Sequence, residues 1–229
     1  MLLFLNRLPT FPFPVPVGKR GRVRIGLGSA PQQWFMTVKT EGVIECHVGT
    51  VNTQWGVLFD CFSKGVQKRI SCRFSELRMS PEKFLVTSDD QLQELIRPAG
   101  FFTQKCAYLK AMAAFMLERE VAFEQSTDVW ALRKELLAVK GVGQETADSI
   151  LLYAFNKPIF VIDAYTRRVA ERHLHLDGTL PYDILQKIFM DALPPDVAIY
   201  KEYHALIVAL CKESCKKSGC GEICKSFWR

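Results

Sequence analysis

The sequence predicts an all-α fold, and three observations support that prediction. Apolar residues recur at three- and four-residue spacing along much of the chain, which is the spacing of one face of a helix. The clearest set is Leu109, Met112, Ala113 and Met116. Short polar segments separate successive helical patterns, and no run alternates apolar and polar residues as a half-buried strand does.

The helices can be placed in order from their start and stop signals. Ser80 precedes Pro81, and Ser88 precedes an acid, both of which are typical of a helix N-terminus. Either Thr127 or Asp128 is expected to cap the helix that follows it. Further helices are predicted over residues 43–66, 101–118, 145–153, 165–174, 182–193 and 196–211.

Residues 1 to about 30 differ in composition from the rest. They are rich in proline, glycine and basic residues, including Lys19, Arg20, Arg22 and Arg24. This composition favours a flexible or loosely docked arm over a dedicated contact to a DNA backbone.

Composition bounds the class of protein. The chain has 229 residues, of which 48% are hydrophobic and 24% charged, as in a soluble globular protein of one or two domains. Its formal charge of +6 suits a polyanionic partner without establishing one. The apolar stretch at Met1–Leu5 is too short for a signal peptide or a membrane span. We therefore expect an intracellular monomer, in the cytoplasm or nucleoid, with no membrane partner.

The stretch from Leu136 to Asp163 organises the chain. A Gly141-Val142-Gly143 turn joins two helical segments, and an apolar run then leads to the single acid Asp163. Glycines before a helix let its free N–H groups approach an anion such as a phosphate. From the residues alone, Asp163 is either a site carboxylate or the cap of the next helix, and the two roles can coexist.

This stretch resembles the helix-hairpin-helix and Gly/Pro-loop-Asp motif of the endonuclease III superfamily of DNA glycosylases. The resemblance covers roughly residues 31–229 and depends on Gly141, Val142, Gly143, Thr146, Ala147, Pro158 and Asp163. It implies a six-helix barrel domain at about 42–157. It also implies a second helical domain formed by residues 1–41 and 158–229, with the active site in the cleft between the two domains.

The resemblance also implies a function and a partner, namely removal of a damaged base from double-stranded DNA. Asp163 would be the catalytic carboxylate that stabilises positive charge on the sugar. The base must be flipped out of the duplex, which requires a grip on the backbone and a side chain to fill the gap. The expected DNA-binding residues are Gly141, Gly143, Gln144, Thr146 and, as the inserted side chain, Gln54.

Glu145 is the informative departure from the family. Enzymes of this family that also cut the strand carry a lysine there, whose amine forms a Schiff base with the sugar. Glutamate cannot form an imine, and Lys140 does not occupy an equivalent position. The sequence therefore predicts a monofunctional glycosylase. Glu145 and Asp148 are themselves interpreted as acids on a solvated helix face.

The substrate follows from a finer resemblance. The segment GVGQETAD is similar to the corresponding segment of the 3-methyladenine glycosylases of endonuclease III type. This favours an alkylated purine, with Trp34 and Trp55 as candidate pocket residues unless they are ordinary core aromatics. Two alternatives stay open: a glycosylase with strand-cleaving activity for oxidised pyrimidines, and a non-catalytic helix-hairpin-helix module that binds DNA.

Four cysteines crowd the C-terminus in a C-x3-C-x4-C-x3-C pattern. They are Cys211, Cys215, Cys220 and Cys224. Four thiolates suit either a [4Fe–4S] cluster or a zinc ion. The family holds a [4Fe–4S] cluster at this place with a different cysteine spacing. The resemblance therefore favours a cluster over zinc, and a loop that has lost its metal is the third possibility.

Overall fold

The computed structural model of the protein describes residues 80–222 and Cys224, which belong to one compact unit, Gly49–Arg229. The predicted N-terminal arm, the helix over 43–66 and the candidate residues Trp34, Gln54 and Trp55 lie outside the described residues. The division into a barrel domain and a terminal domain stays a prediction.

The described residues are predominantly helical, which confirms the predicted all-α fold. The helices are α1 (Pro81–Val86), α2 (Asp89–Ile96), α3 (Phe102–Gln125), α4 (Val129–Ala138), α5 (Gln144–Ser149), α6 (Ala164–His173), α7 (Tyr182–Ala192) and α8 (Val197–Glu213). A 3-10 turn at Arg97–Ala99 follows α2, and α5 continues into a π-helical segment at Ile150–Ala154. Two short strands, β1 (Cys215–Lys216) and β2 (Gly219–Cys220), pair antiparallel after α8.

The helix starts agree with their predicted caps. Ser80 and Ser88 accept hydrogen bonds from the backbone amides at the third position of α1 and α2. Asp128, rather than Thr127, caps α4 by accepting from the amide of Ala131 at 3.0 Å. The main difference is the length of α3, which extends to Gln125 because no glycine or proline interrupts the residues beyond 118.

The turn between α4 and α5 explains why one of its glycines is needed for folding. Gly141 has a φ of +88°, and a Cβ added there would lie 2.2 Å from the ring of Tyr108. Gly143 has a φ of −94°, and a Cβ added there would meet nothing within 4 Å. Gly141 is therefore required by the packing of the hairpin, whereas nothing in the described structure requires glycine at position 143.

The apolar run before Asp163 lies in the middle of the core. Ile159, Phe160, Val161 and Ile162 are all buried. The ring of Phe160 stacks on Phe189 of α7, with 4.9 Å between the centroids. Because α7 and α8 both pack on this run, its end point is fixed by the core.

A buried ion pair within the hairpin is connected to α7 by a hydrogen bond from a glutamine. Asp148 is fully buried, and its Oδ1 accepts a 2.6 Å hydrogen bond from Nε of Arg133 on α4. Its Oδ2 accepts from Gln186 of α7 at 2.7 Å. The interpretation of Asp148 as a solvated acid was therefore wrong, because a buried base on another helix neutralises it. Removing one partner of such a pair costs about 3–5 kcal/mol, since the other charge stays buried.

None of the helices formed by residues 80–222 combines the length and apolar character needed to cross a membrane.

Candidate active site

Asp163 is the N-cap of α6. Its Oδ1 accepts a 2.7 Å hydrogen bond from the amide of Thr166, and its carbonyl accepts from the amide of Arg167. Asp163 therefore caps the helix, as one of the two predicted roles requires. Capping fixes one carboxylate oxygen and leaves the other to face a different partner.

The backbone before Asp163 is held by two side chains of α7. The amide of Ile162 donates to the hydroxyl of Tyr182 at 3.2 Å. The carbonyl of Phe160 accepts from Nε2 of Gln186 at 2.6 Å. These bonds satisfy the polar groups of an extended buried segment that has no sheet partner, so the position of Asp163 is well defined.

The second oxygen of Asp163 faces His204 of α8. Oδ2 lies 3.7 Å from Nε2 of His204, and Nδ1 of the same ring lies 2.6 Å from the hydroxyl of Tyr153. Only 13% of the Asp163 side chain and 12% of the His204 side chain are exposed. Within the described part of the chain, Nε2 of His204 has no hydrogen-bond partner. The geometry therefore favours the tautomer that presents an Nε2–H to the carboxylate.

Two opposing effects set the pKa of Asp163. Burial raises the pKa of the carboxyl, whereas the neighbouring His204 imidazole and the hydrogen bond from the Thr166 amide lower it. The lowering effects prevail, and the pKa lies below its ordinary value. Asp163 is therefore an ionised carboxylate at neutral pH, in a site that is mostly withdrawn from water.

Lys201 extends this group of polar residues along α8. Its Nζ lies 5.8 Å from the centroid of the Tyr153 ring and donates to Oδ1 of Asn156 at 2.6 Å. Burial lowers the pKa of Lys201 below its ordinary value. Lys201 therefore contacts the ring of Tyr153, which in turn bonds to His204.

The predicted DNA-binding residues of the hairpin occupy its outer end. Gly141 and Gly143 are exposed, and Thr146 is half-buried. The side chain of Gln144 donates to both carboxylate oxygens of Asp183, at 3.1 and 3.0 Å. The hairpin therefore offers backbone groups at the glycines, while the Gln144 side chain already has a protein partner.

Comparison with known proteins identifies the family. Residues 46–195 match the family model of the HhH-GPD superfamily base excision DNA repair proteins. The chain belongs to the HhH-GPD superfamily. The protein named "Putative DNA repair glycosylase MJ1434" from Methanocaldococcus jannaschii is 40% identical over 197 residues, covering 84% of this chain and 86% of that protein. The predicted resemblance to endonuclease III is confirmed, and the chain is a base excision repair DNA glycosylase of this superfamily.

Solved structures agree on the HhH-GPD fold. An endonuclease III in a non-covalent complex with DNA superposes with a TM-score of 0.62 at 20% identity, covering 76% of this chain and 80% of that one. The 3-methyladenine DNA glycosylase of H. pylori, bound to 1,N6-ethenoadenine, gives a TM-score of 0.58 at 22% identity, covering 70% and 85%. At these identities the likeness establishes the fold.

The C-terminal cysteines of this HhH-GPD protein form a cluster with a residue that the sequence did not suggest. Ligand atoms of His173, Cys215, Cys220 and Cys224 all lie within 4.8 Å of one another. Cys211, predicted as a ligand, lies outside this set, and its thiol donates to the carbonyl of Tyr165 at 3.7 Å. The structure thus brings together three of the four predicted cysteines with the last residue of α6.

Sequence reasoning missed His204, Tyr153 and His173 as site residues. A lone histidine or tyrosine on a helix carries no spacing signal, and their partners lie far away in the chain. Tyr153 and His204 are 51 residues apart, and His173 and Cys220 are 47 residues apart. The only available signal was rarity, since the chain has four histidines.

Replacing His204 with leucine tests the electrostatic description of Asp163. We expect the pKa of Asp163 to rise, because burial remains while the favourable electrostatic interaction with the His204 imidazole is lost. The carboxyl then takes up its proton at a higher pH than in the wild type. The measurement is an NMR titration of 13C-labelled aspartate carboxyls, with Asp163 identified from its absence in Asp163→Asn.

His175→Asn is the matched control. His175 is exposed, and asparagine tolerates its left-handed φ of +55°. It should leave the Asp163 titration in place. An unchanged or lower pKa of Asp163 in His204→Leu would contradict the description.

Proposed function

We propose that the protein is a monofunctional DNA glycosylase that hydrolyses the N-glycosidic bond of an alkylated purine flipped out of duplex DNA. The observation that carries this proposal is the state of Asp163, a carboxylate held ionised in a mostly buried position by His204. A group in that state is suited to stabilise a cationic sugar.

The chemistry requires such a group because positive charge builds on the sugar as the base departs. A carboxylate beside the anomeric carbon stabilises this oxocarbenium-like state, and it can also orient the attacking water. The stabilisation is stronger where water is excluded, because the effective dielectric constant is lower. Asp163 combines a negative charge with a side chain that is 13% exposed, so both conditions are met.

His204 and Thr166 act on Asp163 as positioning residues. The Thr166 amide fixes Oδ1, and His204 faces Oδ2 from the adjacent helix. Neither residue is needed to remove a proton from the substrate. Their effect is to keep the carboxylate charged and oriented before DNA arrives, so that little reorganisation accompanies the reaction.

We infer hydrolysis without strand cleavage from the positions of the lysine side chains. The position at which strand-cleaving relatives carry lysine is Glu145, and Lys140 is an exposed residue before the turn. The alternative activity, a glycosylase with strand cleavage, would use Lys201, since its lowered pKa gives an amine with some nucleophilic character. Because Lys201 is bound to Asn156 behind Tyr153, hydrolysis is the better-supported reaction.

An alkylated purine is the best-supported substrate for two reasons. The segment from Gly141 to Asp148 is similar to that of the endonuclease III-type 3-methyladenine glycosylases, and the structure of one such enzyme, holding a modified adenine, shares the fold. N-alkylated purines are cationic, and their departure needs little help from an acid. A carboxylate that stabilises the cationic sugar therefore fits this class of leaving group.

Asp163→Asn tests the proposal most simply. Asparagine caps helices about as well as aspartate, so α6 should keep its start while the negative charge is lost. We expect base release to fall by about a hundredfold or more, as when other electrostatic stabilisers are removed, with duplex affinity changed only slightly. The measurements are single-turnover base release from an oligonucleotide bearing one methylated purine, and binding by anisotropy.

The matched control is Asp128→Asn, since Asp128 also caps a helix through its carboxylate. It should retain wild-type activity. Wild-type activity in Asp163→Asn would refute the role of the carboxylate. Failure of the wild-type protein to release any base from a panel of alkylated and oxidised lesions would instead favour the non-catalytic DNA-binding module.

The two hairpin glycines give a second test. Gly143→Ala should preserve the fold at a cost of about 1 kcal/mol or less at this cap, since its Cβ meets nothing within 4 Å. Its Cβ should nevertheless hold off a DNA phosphate, and loss of one charged hydrogen bond weakens binding about tenfold or more. Gly141→Ala should instead lower the Tm, because its Cβ collides with Tyr108. Unchanged DNA affinity in Gly143→Ala would contradict this contact.

A further inference from the structure

We infer that His173, Cys215, Cys220 and Cys224 bind a single zinc ion in a tetrahedral Cys3His site, in the place where endonuclease III relatives are expected to hold a [4Fe–4S] cluster. The inference concerns a metal site that links two parts of the fold, and it does not depend on the reaction proposed for Asp163.

The spacing of the ligand atoms carries the inference. Sγ of Cys215 lies 3.9 Å from Sγ of Cys220, and Sγ of Cys220 lies 3.7 Å from Nε2 of His173. Zinc–sulfur bonds of about 2.3 Å and zinc–nitrogen bonds of about 2.0 Å place tetrahedral ligands about 3.8 Å apart for two sulfurs and about 3.5 Å apart for sulfur and nitrogen. The two spacings agree with ligands of one ion, and all four ligand atoms lie within 4.8 Å of one another, close enough to converge on a single ion.

A [4Fe–4S] cluster does not fit this arrangement. Each of its four cysteine thiolates binds a different iron, and these bonds point away from the centre of the cluster, so the sulfurs lie much farther apart than two ligands of one ion. The fourth cysteine needed for it, Cys211, lies outside the set of mutually close ligand atoms, and its thiol donates to the carbonyl of Tyr165. An imidazole occupies the fourth position, and three thiolates with one imidazole are a common structural zinc set.

The local backbone builds the site from both sides. The β1–β2 ladder pairs Cys215 with Cys220 directly, which brings their side chains together. Ser214 then fixes the third cysteine, because its hydroxyl accepts from the amide of Cys224 at 3.3 Å and its carbonyl accepts from the amide of Gly221 at 2.8 Å. The ligands are thus held by hydrogen bonds of the loop itself.

Two arginines of α6 surround the cysteines. Nη1 of Arg172 lies 3.7 Å from Sγ of Cys215 and donates to the carbonyl of Lys216 at 2.6 Å, and Arg168 donates to the carbonyl of Cys215 at 2.9 Å. Zinc with three thiolates and one neutral imidazole carries a net negative charge, which a guanidinium offsets. Partners of this kind orient and stabilise the ligands of a metal site.

The site joins the end of α6 to the C-terminal hairpin. His173 is the last residue of this ten-residue helix, and Asp163 is the cap at its start. A zinc ion on His173 therefore anchors the far end of the helix that begins at the proposed catalytic carboxylate. Its expected effect is on the stability of this region, as for other structural zinc sites.

Metal analysis of the full-length protein tests the inference. The protein should be produced with both iron and zinc in the medium, purified without oxygen and analysed for both metals and for acid-labile sulfide. We expect one zinc ion per chain, no sulfide and no visible colour. His173→Ala should lose the zinc, His173→Cys should retain it as a four-thiolate site, and Cys211→Ser should retain it as the control.

Substitution with cobalt tests the metal site in the wild-type protein, so the result does not depend on whether a variant folds. Co²⁺ added to the chelator-treated wild-type protein should produce the intense visible bands of tetrahedral cobalt thiolate, and zinc should then abolish them. Iron with sulfide in the purified protein, metal content that depends on Cys211 and not on His173, or the absence of any bound metal would each overturn the inference.

Discussion

The contact between Asp163 and His204 is the interaction on which the account of this HhH-GPD protein depends. A carboxyl that is mostly buried tends to keep its proton, because its charged form loses hydration. Here His204 and the Thr166 amide reverse that tendency, so the pKa of Asp163 lies below its ordinary value despite burial. The result is a charged group in a poorly hydrated place, which is what stabilisation of a cationic sugar requires.

Much of the remaining structure serves to place that contact. The apolar run from Ile159 to Ile162 passes through the core, and α7 holds it through Tyr182 and Gln186. Gln186 also bonds to Asp148, which pairs with Arg133 beneath the hairpin. One buried polar network therefore connects the hairpin, proposed to grip DNA, with the segment that ends at Asp163. Such a network is stable only when all its members are paired.

The sequence predicted the features that local rules govern. Ser80, Ser88 and Asp163 act as caps because a short polar side chain before a helix accepts from its free amides, and that preference needs no tertiary contact. Gly141 was recognised as part of the hairpin turn, whereas its positive φ and its close contact with Tyr108 are visible only in the structure. The family motif then suggested functional roles for these residues, and the comparisons confirmed the family.

The remaining features depend on contacts between distant segments. Asp148 looked like a surface acid, and its burial depends on Arg133 and Gln186, which lie on other helices. His204 is identified as a site residue by its contacts with Tyr153 and Asp163. His173 is identified by the cysteines that lie close to it, beyond the end of α8. A single sequence does not contain these pairings. The sequence-based metal prediction used the four cysteines because their spacing is visible in the sequence, whereas the proximity of His173 to them is not.

The central claim is that an ionised carboxylate, and no amine, carries the reaction. Borohydride trapping of the wild-type protein on DNA bearing a methylated purine tests it most directly, because reduction of a Schiff base leaves a permanent covalent adduct. We expect base release with an intact abasic strand and no adduct. An adduct that forms at the rate of base release would contradict this result, and its loss in Lys201→Gln would identify Lys201 as the amine.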